Sequence, residues 1–352
     1  MRENKFLIIL LLLLSFSLAD EVTILIPKGV STAKISHILK EHKIIRSTLW
    51  FRIKVKLQKT KPVFYSGLFR LDKKVSTGKI IRELQDKNRL VYVKITIPEG
   101  YNIYQIDKLL SSKDLITANA FIEYFSNTEN IKHLRDEFPY LTDKDKIKSP
   151  EGLLFPDTYF FDFYTPLQKI ADTMLDNFKT KMVPVYEEYL NLRKNSRHRY
   201  SYREDRVFSF YELLTLASII ENEAKEDEER PVIASVYINR LKRHQALGSC
   251  PTVEYARYNL GLPHAENLSF EDLRIPSEYN TYLHAGLPPS PISNPGIKSF
   301  KAALYPVSTD YYFFVSLKNG THHFSKTARE HEQWVNKINR EASLPAPKPG
   351  QR

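Results

Sequence analysis

One glutamate near the end of an apolar segment, Glu221, is the residue best suited to proton-transfer chemistry. Residues 209–224 open with Ser209, and Glu212 follows three positions later, a spacing typical of a helix capping box. The rest of the segment is apolar around most of a helix, which predicts burial. Glu221 falls within this apolar run. A carboxyl group at such a position tends to stay protonated, because desolvation disfavours its charge, so Glu221 is the candidate proton donor.

The second acid, Glu223, lies roughly 200° further around the same helix, so the two carboxylates should not share one pocket. An alternative role for Glu221 is structural. Arg230 or Arg240 could pair with it in a salt bridge, and most glutamates near helix ends are paired or solvated.

Composition limits the remaining function classes. The chain has 352 residues, 42% of them hydrophobic, which is enough for two domains with a large core. Its net charge of +11 favours an anionic neighbourhood such as a membrane surface or an acidic polymer. No nucleic-acid-binding module is recognisable, so no nucleic-acid partner is predicted. The single cysteine, Cys250, excludes an intramolecular disulfide, and neither a metal site nor a cofactor motif is evident.

The chain begins with a segment that indicates export or anchoring. Residues 1–5 include basic side chains, and residues 6–19 are almost entirely apolar. This run is short for a membrane-spanning helix and could also be a cleaved signal peptide. In either case the remainder of the chain is expected outside the cytoplasm.

An internal repeat follows in residues 20–117. Residues 22–29 recur as residues 93–100, and a weaker copy begins at residues 69–72. Each copy predicts a strand followed by a short amphipathic helix, so this part of the chain is expected to form a small α+β module.

Residues 118–342 are predicted to form a second, mixed α+β domain with a groove. Helical patterns occur at residues 118–128, 167–193 and 229–243, and a Pro-rich stretch at residues 286–296 suits a rigid groove wall. Residues 343–352 are predicted to be a disordered tail.

The order of motifs in this second domain resembles the YceG-like (MltG) endolytic murein transglycosylases. The matching motifs span about residues 150 to 340 in the family's order, and they lie at residues 151–159, 216–221, 236–241, 251–253, 279–282, 286–289, 294–296 and 323–325. The apolar start and the repeat also match the family's arrangement of an anchor, a LysM-like module and a catalytic domain.

This resemblance implies a function. It implies an α+β protein, a lyase that cleaves the β-1,4 bond between N-acetylmuramic acid and N-acetylglucosamine within peptidoglycan strands, leaving 1,6-anhydromuramic ends. It places the essential acid at Glu221. It further implies a protein in the bacterial plasma membrane, held by residues 1–19 with the catalytic domain on the periplasmic side. Such a protein would limit nascent strand length, with the cell-wall synthesis machinery as a partner.

Several polar residues are candidates for holding the sugar strand. Asn280, Thr281 and Tyr282 form a polar loop suited to hydrogen-bonding sugar hydroxyl and acetamido groups, and Asn239 could orient Glu221. Hydrogen bonds that only stabilise the loop are an equal alternative for each of them.

Two positions depart from the family pattern. Gly248 and Cys250 stand before Pro251 where the family usually has an amide and a carboxylate. A catalytically inactive peptidoglycan-binding or scaffold protein is therefore an alternative. A hydrolytic glycosidase is a third reading, which would need Asp157 or Glu254 as a second carboxylate.

Overall fold

The computed structural model describes residues 21–60, 62–138, 143–195, 208–265 and 267–343. The fold is mixed α and β, as predicted. The predicted anchor at residues 1–19 and nearly all of the predicted tail lie outside the described residues. No helix in the described ranges is long and apolar enough to span a bilayer. The chain divides into two compact units.

The first unit contains the described residues up to Ile95, with residues 112–115 and 158–166. Its helices and strands are β1 (Glu21–Ile26), α1 (Thr32–Glu41), α2 (Thr48–Lys56), β2 (Gly67–Asp72), α3 (Thr77–Glu83), β3 (Val93–Thr96, whose last residue begins the second unit) and β4 (Thr158–Phe161). Strands β1 and β2 pair antiparallel, with Glu21 opposite Asp72, and β3 pairs with β4. Alternate β1 side chains, Ile24 and Ile26, enter the core with Phe69 of β2.

All three copies of the predicted repeat form a strand followed by a helix. However, the third copy is divided, because β3 lies almost wholly in the first unit and the helix after it lies in the second. The chain thus passes between the two units more than once, and the predicted boundary near residue 117 stays a prediction. The likeness of this unit to a LysM module stays a prediction.

The second unit is mainly helical. Its elements are α4 (Ile103–Ser112), α5 (Ala120–Ser126), α6 (Thr128–Asp136), α7 (Leu167–Asn195), α8 (Phe210–Glu223), α9 (Arg230–Lys242), α10 (Cys250–Asn259), α11 (Ile297–Leu304), β5 (Phe313–Ser316), β6 (His322–Ser325) and α12 (Ala328–Ser343). Helix α8 is buried from Phe210 to Ile220 and packs against α9, α10 and α11. Strands β5 and β6 form an antiparallel hairpin beside α12.

Candidate active site

Helix α8 begins where the sequence predicted. Ser209 Oγ accepts a hydrogen bond from the backbone N–H of Glu212, and the Glu212 carboxylate accepts one from the backbone N–H of Ser209. This capping box satisfies two N–H groups that the helix leaves unpaired. The helix ends at Glu223, so Glu221 and Glu223 both lie in its last turn. The negative end of the helix dipole disfavours carboxylates there, and each therefore needs donors from elsewhere in the fold.

Glu221 is held by two such donors. Arg230, the first residue of α9, donates from Nη1 to Oε1 of Glu221 at 2.9 Å, and the backbone N–H of Gly296 donates to Oε2 at 2.9 Å. The side chain of Glu221 is only 5% exposed. Arg230 also donates to Asp227 and Ser299. These contacts match the structural alternative weighed from the sequence, a salt bridge with Arg230.

Glu99 adds a second negative charge beside this ion pair. Burial, and then the charge of Glu221, raise the pKa of Glu99, while Arg230 and Lys298 oppose the rise. A side chain at position 296 would project onto the Glu99 carboxylate, which would then have to move. The Glu221–Arg230 pair is thus the centre of an ionic cluster that joins α8, α9 and the start of α11.

Glu223 is directed to the opposite side of α8. The hydroxyl of Tyr237 donates to its Oε1 at 2.8 Å, and the hydroxyl of Ser249 donates to the same oxygen at 2.6 Å. Both donors are buried. Within the described part of the chain Oε2 has no hydrogen-bond partner. Burial raises the pKa of Glu223, against the opposing effect of the hydrogen bonds from Ser249 and Tyr237.

A cavity of about 690 Å³ opens at this end of α8, a volume typical of ligand sites. Glu223 and Asn222 line it from α8, and Cys250, Glu254 and Tyr255 line it from α10. The other lining residues are Gly100, Asn102, Gln105, Lys225, Pro251, Tyr258, His264, Ala265, Asn267, Leu268, Leu273, Ile292 and Ser316. Glu221 is not among them. Aromatic rings, amides and a partly buried carboxyl group together suit a polar, ring-shaped ligand such as a sugar.

Glu254 is the other acid in this cavity, and its Oε2 accepts no hydrogen bond among the described residues. Its Oε1 lies 2.6 Å from Nδ1 of His264 and accepts from the backbone N–H of Ala265, and its Oε2 lies 3.6 Å from Nε of Arg257. Asp157 does not line the cavity, and it accepts a hydrogen bond from the amide of Asn177 instead. Glu254 is thus engaged by ion pairs with His264 and Arg257, and Asp157 lies outside the cavity lining.

The predicted sugar-binding loop is mostly turned inward. Asn280 is fully buried, and its amide donates to the carbonyls of Leu273 and Ile275. Thr281 is 1% exposed and accepts from the backbone N–H of Ser249. These bonds favour the loop-stabilising alternative. A direct contact of Asn280 or Thr281 with sugar stays a prediction.

Tyr282 and Asn239 differ from those two. Tyr282 is 38% exposed, and its hydroxyl lies 3.2 Å from Sγ of Cys250 on the cavity wall. The amide of Asn239 donates to the carbonyls of Thr309 and Tyr311, so it supports the chain before β5 and does not contact Glu221. None of the four predicted binding residues is in the cavity lining, although the Tyr282 hydroxyl contacts Cys250, which is.

Gly248 holds Ser249 in place. Its φ of +57° lies in the left-handed region that glycine tolerates, and its N–H donates to the carbonyl of Thr281. The residues around the two departures from the family pattern therefore keep a defined geometry, and Ser249 between them is a direct partner of Glu223. The sequence singled out this stretch for its departures and did not identify Ser249.

A third acid, Glu151, lies beneath the site and is fully buried. The backbone N–H of Ile103 donates to its Oε1 at 2.9 Å, and the amide of Asn294 donates to its Oε2 at 3.3 Å. Burial raises its pKa to about 8. Glu151 thus joins the loop before β4, the start of α4 and the loop before α11.

The raised pKa of Glu151 predicts that the stability of the fold depends on pH. Its pKa is higher in the folded than in the unfolded chain, so the folded state binds the extra proton, and stability should fall as pH rises from about 5 to 8. The Glu151→Gln variant should lose this dependence, a difference of about 2–4 kcal/mol over the range. Urea unfolding at pH 5, 7 and 8.5 measures it. Glu187→Gln, at an exposed position, is the control. An equal pH slope in wild type and Glu151→Gln would contradict the assignment.

Comparison with known proteins gives a consistent result. The YceG-like family matches residues 24–337. An endolytic murein transglycosylase of Bacillus subtilis (strain 168) is 35% identical over 317 residues, which cover 89% of this chain and 83% of that protein. The endolytic murein transglycosylase of Streptococcus pneumoniae serotype 2 (strain D39) is 28% identical over 333 residues, but they cover only 58% of that longer protein.

A solved structure supports the same grouping. The crystal structure of a putative yceG-like protein from Listeria monocytogenes superposes with a TM-score of 0.59 at 32% sequence identity. The match covers 90% of this chain and 99% of that one. The likeness therefore extends over both compact units.

Proposed function

Because the chain belongs to the YceG-like family, we propose that it is an endolytic peptidoglycan lytic transglycosylase, a lyase whose substrate is the glycan strand of the bacterial cell wall. The observation that supports this most is Glu223 in the lining of a sugar-sized cavity. The bond cleaved is the β-1,4 linkage between N-acetylmuramic acid and N-acetylglucosamine.

Glu223 is proposed as the proton donor. Its raised pKa favours the protonated form that the first step needs, and Ser249 and Tyr237 fix Oε1 while Oε2 accepts no hydrogen bond among the described residues. The proton passes from Glu223 to the glycosidic oxygen as the C1–O bond breaks, and positive charge develops at C1 of the muramic sugar.

The same carboxylate can complete the reaction. Once ionised, Glu223 takes the proton from the C6 hydroxyl of that sugar, whose oxygen bonds to C1 and closes the 1,6-anhydro ring. Glu223 is then protonated again, with the proton of the C6 hydroxyl, and no water is consumed. The hydroxyl is part of the reacting ring, so its effective concentration is high. A single acid suffices for both proton transfers, so the mechanism needs no part for Glu254, whose Oε1 lies against His264.

The sequence assigned this role to Glu221, and that assignment stays a prediction. The geometry favours Glu223, because Glu221 is outside the cavity lining and both of its oxygens already accept hydrogen bonds. We assign Glu221 the task of fixing the last turn of α8 against Arg230, and thereby the direction in which Glu223 points.

Analysis of the cleaved ends tests the reaction class. Mass spectrometry of murein digested with the full chain should find 1,6-anhydro ends. Reducing ends would indicate a hydrolase and refute the water-free mechanism. Binding of murein without new ends would support the inactive scaffold, the alternative suggested by Gly248 and Cys250.

Cys250 offers a test through the pH profile. It lines the cavity with Glu223, and the Cys250→Asp substitution would place a like charge near that carboxyl group. The pKa of Glu223 should rise further. Activity falls as pH rises through this pKa, since the donor must be protonated, so the alkaline limb of kcat/KM should move up by roughly one pH unit or less. The neutral Cys250→Ser variant should leave the limb in place. An unmoved limb in a folded Cys250→Asp protein would show that Glu223 does not set it.

The location is part of the same proposal. The basic start and apolar run of residues 1–19 suit an anchor in the plasma membrane with the remainder on the periplasmic side. A lyase held there would meet strands as they are made, which would let it limit nascent strand length beside the synthesis machinery.

A further inference from the structure

Helix α2 in the first unit has an apolar surface that the core does not use. Phe51 and Val55 are its buried side chains. The opposite side carries large hydrophobic residues that are exposed to solvent: Leu49 by 64%, Trp50 by 53%, Ile53 by 38% and Leu57 by 76%. We call these four residues the α2 face. Leu49, Ile53 and Leu57 are spaced four apart and therefore form one stripe along the helix.

Positive charge surrounds the α2 face. Residues 42–71 contain eight lysines and arginines and no aspartate or glutamate. Arg52 and Lys56 on α2 are exposed, and Nζ of Lys54 lies 5.4 Å from the centre of the Trp50 ring. Exposed Val63 and Tyr65 extend the apolar surface beyond the helix.

Exposed apolar side chains together with basic ones favour an anionic membrane surface as the partner. Aliphatic side chains beside a tryptophan, on a helix whose own charged residues are all basic, are typical of helices that lie in the headgroup region of anionic membranes. Lysine and arginine stems can reach the phosphates while the apolar groups enter the acyl boundary. A sugar strand would instead need polar groups around the aromatic ring, and leucine and isoleucine supply none.

The start of the chain lies close to this surface in sequence. The apolar run ends at Ala19, and β1 of the same compact unit begins at Glu21. We propose that the α2 face lies in the headgroup layer of an anionic phospholipid membrane, as a second contact beside residues 1–19. The proposal rests on the proposed membrane location and not on the catalytic mechanism.

Tryptophan fluorescence of the full chain in lipid nanodiscs tests the proposal. The chain has two tryptophans, so Trp334→Phe leaves Trp50 as the only reporter and Trp50→Phe supplies the comparison at Trp334. In anionic nanodiscs Trp50 should emit further to the blue than in detergent, and lipids brominated near the headgroup should quench it. Quenching in zwitterionic nanodiscs should be weaker.

Two double variants separate the contribution of the apolar side chains from that of the positive charges. Leu49→Gln with Leu57→Gln should abolish quenching of Trp50 by brominated lipid while the far-UV spectrum and murein cleavage stay unchanged. Arg52→Gln with Lys56→Gln should remove the difference between anionic and zwitterionic lipid.

Three results would overturn the proposal. The first is that acrylamide quenches Trp50 fluorescence as strongly in nanodiscs as in detergent and that brominated lipid does not quench it. The second is quenching of Trp50 that is equally strong in anionic and zwitterionic brominated lipid when the α2 face is wild type. The third is a shift of the Trp50 emission maximum when soluble glycan strands are added in place of lipid. Co-purification with the nanodisc and murein cleavage report separately on the proposed location and function.

Discussion

Glu223→Gln is expected to reduce the release of anhydro-ended fragments by about 10³- to 10⁴-fold. Glutamine can accept the hydrogen bonds from Tyr237 and Ser249 through its carbonyl oxygen, but it cannot supply the proton that the leaving oxygen needs. The initial rate of cleavage, measured on purified strands with equal amounts of folded protein, gives the ratio.

The matched control for that experiment is Glu226→Gln, three residues further on. Glu226 is exposed, and its side chain makes no capping hydrogen bond. It should cleave at the wild-type rate. Comparable activity in Glu223→Gln and Glu226→Gln would remove Glu223 from the mechanism.

Arg230→Met is expected to lower the free energy of unfolding by about 3–5 kcal/mol. The arginine and Glu221 side chains are 9% and 5% exposed, so methionine would leave a buried carboxylate without its cation and beside Glu99. The midpoint and slope of urea unfolding at pH 7 measure the loss.

The Glu221→Gln/Arg230→Met double variant identifies the cause. Removing the charge of residue 221 removes the unpaired carboxylate, so the double variant should be more stable than Arg230→Met alone. A double variant that loses as much as the two single variants together would show that the ion pair is not what stabilises this region.

Local sequence signals predicted the start of α8 well. Ser209 and Glu212 interact three residues apart, so their capping box needs no information about the rest of the fold. The wide separation of Glu221 and Glu223 around the helix also followed from helical geometry alone.

Which of the two acids faces the cavity could not be predicted in the same way. Helix α8 is apolar on nearly all sides, so its pattern does not indicate a solvent-facing side. The answer depends on Tyr237 and Ser249, which come from α9 and from the residue before α10. These contacts are distant in sequence and arise only when the helices pack.

Polar loop residues were ambiguous for a related reason. Asn280 has the same appearance in a sequence whether its amide binds a sugar or the carbonyls of Leu273 and Ile275. The internal repeat was predicted more fully. Each of its strands and helices followed from its own pattern, but the division of the third copy between the two units at Ile95 did not.

The most direct test of the account compares Glu221→Gln with Glu223→Gln on one batch of murein. The number of 1,6-anhydro ends is counted by mass spectrometry after digestion with equal amounts of folded protein. We predict ends at background level from Glu223→Gln and clear cleavage by Glu221→Gln. The opposite pattern, with Glu223→Gln still producing anhydro ends and Glu221→Gln silent, would contradict the account and assign the proton transfer to Glu221.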